Sequence, residues 1–204
     1  MATFAEICAR VATEADRDDL TASISTAVLD AVDEHADLNF AFNENRLTTA
    51  TVANTRTVAL PAGLRKETGV WIDVSGSDYQ LQKVSAEFME ELHAATNTTG
   101  QPTYYAFLRD EWHLWPTPGQ AYTLTVVGVY DESALSADSS TNGFTDDRAA
   151  ARMIAAWARA YIARNRTYDE EMERAALREY GLAKASLTRK TNAQQATGAL
   201  RPCL

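Results

Sequence analysis

Apolar side chains recur at three- and four-residue intervals near both ends of the chain and at alternate positions between them, so the hydrophobic period changes twice. A period near 3.6 marks a helix with one buried face, and a period of two marks a half-buried strand. The pattern predicts a helix over Phe4 to Ala15 and a second from near Asp16 or Asp18 to about Asn39. In the second, Leu20, Ile24, Val28, Ala31, Val32, His35 and Leu38 form one stripe, and Asp16, Asp18 and Asp19 complement the positive end of its dipole. After Phe40 and Phe42 the residues become β-branched and alternating. A hairpin is read over Thr48 to Val52 and Thr55 to Leu60 with Asn54 at its turn, closed by Pro61-Ala-Gly63. Strands follow at Val70 to Val74 and Tyr79 to Val84 around a Ser-Gly-Ser turn, and Ser85 caps a short helix, AEFMEELHAAT, that stops before Gly100.

The stretch Gly100 to Tyr130 reads as a β meander with strands at Thr103 to Leu108, Glu111 to Trp115 and Ala121 to Tyr130. Arg109-Asp110 makes its tight turn, and Pro116-Thr-Pro-Gly119 a longer one. Ser133 to Gly143 is a polar connector. Thr145 is placed to cap the next helix, in which Met153, Trp157 and Tyr161 lie at i, i+4, i+8 beside the row Ile154, Ala158 and Ile162. Thr167 with Glu170 reads as a capping box restarting a helix whose stripe is Met172, Ala176, Tyr180, Ala183 and Leu187. From Thr188 the periodicity fades into a mobile tail.

Helices at both ends and strands between them predict an α+β fold in which the terminal helices form an α-helical bundle with an inserted antiparallel β domain, a small sandwich or meander plus one short helix. Each terminal helix carries an apolar stripe and is too short to persist alone in water, so the ends must pack together. The boundaries are 1–44 and 144–187 for a discontinuous helical domain, 45–132 for the inserted β domain, 133–143 for a linker and 188–204 for a C-terminal tail. The helical core is assigned to Leu20, Ile24, Val28, Met153, Trp157, Tyr161 and Tyr180. The β-domain core is assigned to Trp71, Tyr105, Trp112, Leu114, Tyr122 and Leu124.

Composition and charge narrow the function more than they change the fold. With 46% apolar and 23% charged residues the chain is an ordinary folded type, and its net charge of −9 argues against a general nucleic-acid binder. The charge is uneven: residues 1 to 145 sum to −13 and residues 146 to 204 to +4, so the basic end suits an acidic partner. No run approaches the roughly 20 apolar residues of a membrane span. The start, MATFAEICARVATEADRDD, carries charges where a secretory signal needs an apolar core, so synthesis in a cytoplasm and no membrane association are expected. Cys8 and Cys203 fit neither a disulfide framework nor a metal spacing and read as inert thiols.

No nucleophile, metal or phosphate-loop signature is present, and neither catalysis nor a cofactor is expected. His35, His93 and His113 sit in three different elements and read as packed or surface histidines. Glu87, Glu90 and Glu91, like Asp169, Glu170, Glu171 and Glu173, fall in first turns or on polar helix faces, where solvated charge is the ordinary role. Trp71, Trp112, Trp115 and Trp157 fit a core, with stacking on sugars or bases as the other use of such residues. The series Arg148, Arg152, Arg159, Arg164, Arg166, Arg174 and Arg178 forms either an intersubunit or phosphate-facing strip or a solvated face with Glu partners.

The run FAFNENRLTTATVANTRTVALPAGLR, followed by YQLQKVSAEFMEELHAATNTTGQPTYYAFLRDEWHLWPTPGQAYTLTVVGVY, resembles head-to-tail adaptor (connector) proteins of tailed bacteriophages, the group that includes tail tubular protein A of short-tailed phages. The shared features are Phe40 and Phe42 ending a long helix, Leu60-Pro61 ending a hairpin, a short acidic helix, Gly100 and Pro102 before Tyr105, then Trp112, Leu114, Pro116, Pro118, Tyr122 and Leu124, over about residues 38 to 130. The resemblance implies a structural virion protein at the neck, with about twelve copies in a ring under the portal that extends the DNA channel and attaches the tail. It implies as partners other copies of the chain, the portal protein and a downstream tail or nozzle protein, with packaged DNA passing through without sequence-specific binding. It also implies a C-terminal portal-docking segment, here Leu187, Arg189, Lys190, Leu200, Arg201 and Leu204. The rival reading is a monomeric, aromatic-rich β-sandwich that binds carbohydrate or another virion protein.

Overall fold

The computed structural model describes residues 2–96, 98–136 and 138–199. In chain order these form α1 (Phe4–Ala15), α2 (Thr21–His35), β1 (Glu44–Ala50), β2 (Thr57–Ala59), β3 (Leu64–Val74), β4 (Ser77–Gln80), β5 (Gln82–Lys83) and α3 (Ala86–Ala95). Then come β6 (Thr99–Gly100), β7 (Tyr104–Leu108), β8 (Glu111–Trp115), β9 (Thr117–Pro118), β10 (Thr123–Tyr130), α4 (Gly143–Asp146), α5 (Arg148–Ile162) and α6 (Glu170–Ala199). The chain divides into two compact units, a helical one built from the residues up to Asn43 and from Asp131 onward, and another, Glu44–Tyr130, in which α3 packs on β7 and β8 of the strands.

In the helical unit α5 is the centre, packed by α1, α2, α4 and α6. Alanine makes this possible: Ala150, Ala155 and Ala158 are fully buried and let neighbouring helices approach closely, while alanine is also the best helix former. Met153, Ile154 and Ile162 fill the space between, meeting Ile7 and Val11 of α1 and Ile24, Ala27, Val28 and Ala31 of α2 in one cluster. Leu20, Trp157, Tyr161 and Tyr180 border that core, partly buried. α1 opens with a reciprocal cap in which Thr3 Oγ1 accepts from the Glu6 N–H and the Glu6 carboxylate accepts from the Thr3 N–H at 3.0 Å. It closes at Asp16, which takes a left-handed conformation with φ 50°. The second helix therefore starts later than its acids suggest, at Thr21 after a 3-10 turn over Asp18–Leu20, and stops at His35. Beyond it Asn43, buried, ties the loop by accepting from the Phe40 N–H at 2.9 Å and donating to the Leu38 carbonyl at 2.9 Å. Phe40, Phe42 and Phe144 pack as a triad.

The connector over 133–143 is held to the start of the chain, since the Phe4 and Ala5 N–H groups donate to the Ser140 and Asp138 carbonyls and Leu135 is buried. Neither sequence-assigned cap after it is used. Asn142 caps α4, with Thr145 as its reciprocal partner, and Asp147 caps α5 by accepting from the N–H groups of Ala149 at 2.8 Å and Ala150 at 3.2 Å. Likewise Thr167 donates to the Ala163 carbonyl inside a π-helical turn (Ala163–Thr167), and Asp169 caps α6. The 188–204 segment is corrected over most of its length: α6 continues to Ala199, with Ala176, Ala183, Leu187 and Thr191 buried at seven- and four-residue spacing. The stripe ends on a threonine, so its apolar period hides the last turns.

The β unit consists of two four-stranded sheets, ordered β1-β10-β3-β4 and β2-β8-β7-β5, with a small β6-β9 pair. All pairings are antiparallel except β5 with β7 and β6 with β9. Val70, Ile72, Leu124 and Val126 from one sheet and Val58, Tyr105, Trp112 and Leu114 from the other share a single core, with Leu81 among them and Tyr122 at its border. Burial pushes the Tyr105 phenol up to about 12. Three strand predictions are corrected by the way the chain changes sheets. β1 and β2 belong to different sheets, so Asn54, with φ 60°, turns between sheets and not within a hairpin. β7 and β8 do form a hairpin, with Arg109 and Asp110 at φ 51° and 63°, but β10 leaves the meander to lie between β1 and β3. The strand over Tyr79 to Val84 breaks at Leu81, whose N–H donates to Val70 of one sheet while that of Gln82 donates to Thr103 beside the other. Trp71, assigned to the core, lies between Val70 and Ile72 and so points away from it. Its indole covers Gly69, where a Cβ would come within 2.5 Å of the ring.

Candidate functional site

The three histidines occupy two places, His35 in the helical unit and His93 with His113 in the other. His35 is buried at the end of α2, where Nδ1–H donates to the Ala31 carbonyl at 2.7 Å. That bond leaves Nε2 as the acceptor for the Tyr180 hydroxyl of α6 at 2.9 Å, and Lys184 in turn donates to the same hydroxyl at 3.0 Å. Burial pushes the imidazole below its ordinary pKa, and the Lys184 charge adds to this. The ring is a clamp between helices, with Trp157 edge-on to it at 6.5 Å. His93 and His113 lie near one another in the β unit. Burial lowers the first, with the Arg56 charge acting the same way, and Glu90 stands 3.9 Å from the second. Among the described residues no three His, Cys, Asp or Glu side chains are grouped to hold a metal ion. Cys8 is part-buried beside Ser25, and burial raises its thiol; Cys203 lies outside the described residues.

The arginine series divides into an internal part and an exposed part. Arg159, with its side chain only 12% exposed, bridges Glu14 of α1 and Glu179 of α6, the latter at 2.6 Å. Arg10 joins the same network, reaching Glu14 at 2.7 Å and Glu179 at 2.9 Å. Partial burial opposes the Arg10 charge, but the two carboxylates outweigh it and hold its pKa up. Arg164 faces Glu173 at 3.6 Å and Arg174 pairs with Glu170 at 3.2 Å, both exposed and of little energetic weight. Arg148, Arg152, Arg166 and Arg178 are exposed.

Two of these, Arg148 and Arg152, border a groove of about 550 Å³ between the start of α5 and the middle of α6, lined also by Asp147, Glu179, Leu182, Ser186 and Lys190. Both acids in it are already engaged. Asp147 caps α5 and pairs with Lys190, and although burial works to raise its carboxyl, Lys190 and the cap N–H groups hold it below the usual range. Glu179 is held by Arg10 and Arg159. The groove therefore offers two outward guanidinium groups beside Leu182, which is 72% exposed. Leu177, 47% exposed, lies on the same helix. These leucines went unread in the sequence because they fall outside the 176, 180, 183, 187 stripe; that offset was the signal.

Of the docking residues, Leu187 is buried in the helical core, Lys190 is paired with Asp147, and Arg189 is exposed with Nε donating to the Ala185 carbonyl. Leu200, Arg201 and Leu204 lie outside the described residues. The tryptophans do not make an open stacking face: Trp112 is fully buried, Trp71 lies on its own sheet, and Trp115 and Trp157 are half-buried. Among the described residues no helix is long and apolar enough to cross a membrane.

Comparison with known proteins adds one finding to this geometry. The family model described as SU10 adaptor protein matches residues 2–203, nearly the whole chain. None of the curated proteins compared matches it.

Proposed function

The chain belongs to the SU10 adaptor protein family and is a structural component of a phage virion, and from that premise we propose that it joins head to tail as a ring of about twelve copies seated under the portal. The observation that carries this reading is the family match over both units of the chain. The distribution of side chains supports it: His35 and Arg159 are spent on contacts between helices of the same unit, and the helical unit keeps exposed leucine and arginine on α2, α5 and α6. On this reading the helical unit makes the contacts between copies, a downstream tail protein binds the assembled ring, and the net-negative body lets packaged DNA pass without sticking.

Docking on the portal is assigned to the end of α6 and the residues after it. Because Thr191 is buried and Lys190 pairs with Asp147, removing residues from 188 onward would also damage the helical core. A cut after Gln195 spares those contacts. The chain ending at Gln195 is expected to keep its melting temperature yet fail to bind portal-bearing heads in a co-sedimentation assay. Retained binding would move the docking element elsewhere.

A further inference from the structure

Resting on the ring reading above, we propose that the groove between α5 and α6 receives the acidic outer face of α2 from a second copy of the chain. Ile24, Ala27, Val28 and Ala31 turn α2 into its own core, which leaves Asp30 and Glu34, one turn apart, exposed along one flank of the helix. The groove supplies the complement: Arg148 and Arg152, also one turn apart, next to the exposed Leu182. Both features are in the helical unit, and each is on a different helix face, so the contact is heterologous. A patch of one kind on each copy binds a patch of the other kind on the next, and such contacts propagate around a ring instead of stopping at a dimer.

A duplex DNA backbone is the other polyanion that two arginines could attract, and it fits this groove less well. The net charge of −9 opposes a polyanionic backbone over the molecule as a whole, and the exposed Leu182 beside the arginines gains nothing from phosphates. Asp30 and Glu34 supply two carboxylates at the same one-turn spacing as Arg148 and Arg152. The wider charge asymmetry of the chain, −13 up to residue 145 and +4 after it, is what a head-to-tail contact between copies requires.

The test exchanges the charges. Arg148→Glu with Arg152→Glu makes the groove acidic, and Asp30→Arg with Glu34→Arg makes the ridge basic. In sedimentation velocity at a concentration where wild type associates, each double variant alone is expected to associate at least about tenfold more weakly, because like charges then face each other. Their equimolar mixture is expected to recover assembly, since each acidic face meets a basic one, and circular dichroism checks that each variant is folded. Leu182→Ser, which leaves the charge unchanged, is expected to weaken wild-type assembly as well. Variants that assemble alone as wild type does, or a mixture that recovers nothing, overturn the contact while leaving the ring reading intact. Loss of duplex retention in a gel-shift assay with assembly unchanged would assign the groove to DNA instead. A wild type that stays monomeric both free and on portal-bearing heads removes the contact and the ring reading together.

Discussion

Single residues in this chain carry opposite demands even when they are the same amino acid. Gly181 stands in the middle of α6 with nothing within 4 Å of a Cβ built on it, whereas the same atom on Gly128 would lie 2.3 Å from the Lys66 carbonyl oxygen at a bulge between β10 and β3. Gly181→Ala is therefore expected to stabilise by about 1 kcal/mol, the helix-propensity difference. Gly128→Ala is expected to destabilise by about 1–3 kcal/mol through overpacking. Urea unfolding of the two variants checks both signs. His35 gives a pH dependence of defined direction. Its folded pKa is depressed by burial, so the unfolded chain takes up a proton first as pH falls. Its contribution to stability is complete above the ordinary histidine value of about 6.5 and declines as pH drops toward the folded value. Protonation would also put a donor on Nε2, facing a Tyr180 oxygen that already takes a bond from Lys184. Wild type is expected to lose melting temperature between pH 7.5 and 5.5, and His35→Gln to lose less.

At the scale of elements, caps and sheet changes decide what the sequence reveals. The regular stripes of α1, α2, α5 and the first half of α6 were legible because apolar residues repeat at helical spacing with little interruption. The end of α6 was not, because its last buried position is Thr191 and polar residues surround it. Strand positions were legible from alternation, but partners were not: nothing in the local pattern of Thr48 to Leu60 tells that β1 bonds β10 and β2 bonds β8. The caps failed for a different reason. Asn142, Asp147 and Asp169 are each within a few residues of another capping residue, and only the packed neighbours choose among them. Asp147→Ala removes the α5 cap and the Lys190 pair together and is expected to cost about 1–2 kcal/mol, read from thermal unfolding. Of the candidate site, the arginine series was visible in sequence as a row. Its division into the internal Arg159 and the outward Arg148 and Arg152 required Glu14 and Glu179, which come from distant parts of the chain.

As a whole molecule, the chain joins a β unit whose largely aliphatic core holds Tyr105 and Trp112 to a helical unit whose interior is dense with alanine and whose surface retains exposed leucine and arginine. That division suits a part that must hold its shape and bind its neighbours. The central claim is that copies of this adaptor close around a passage at the neck. Electron-microscopy averaging of portal-bearing heads assembled with the purified chain tests it most directly. A closed ring of copies in side-by-side contact under the portal is the predicted result. Isolated subunits, or density anywhere but the neck, would contradict it.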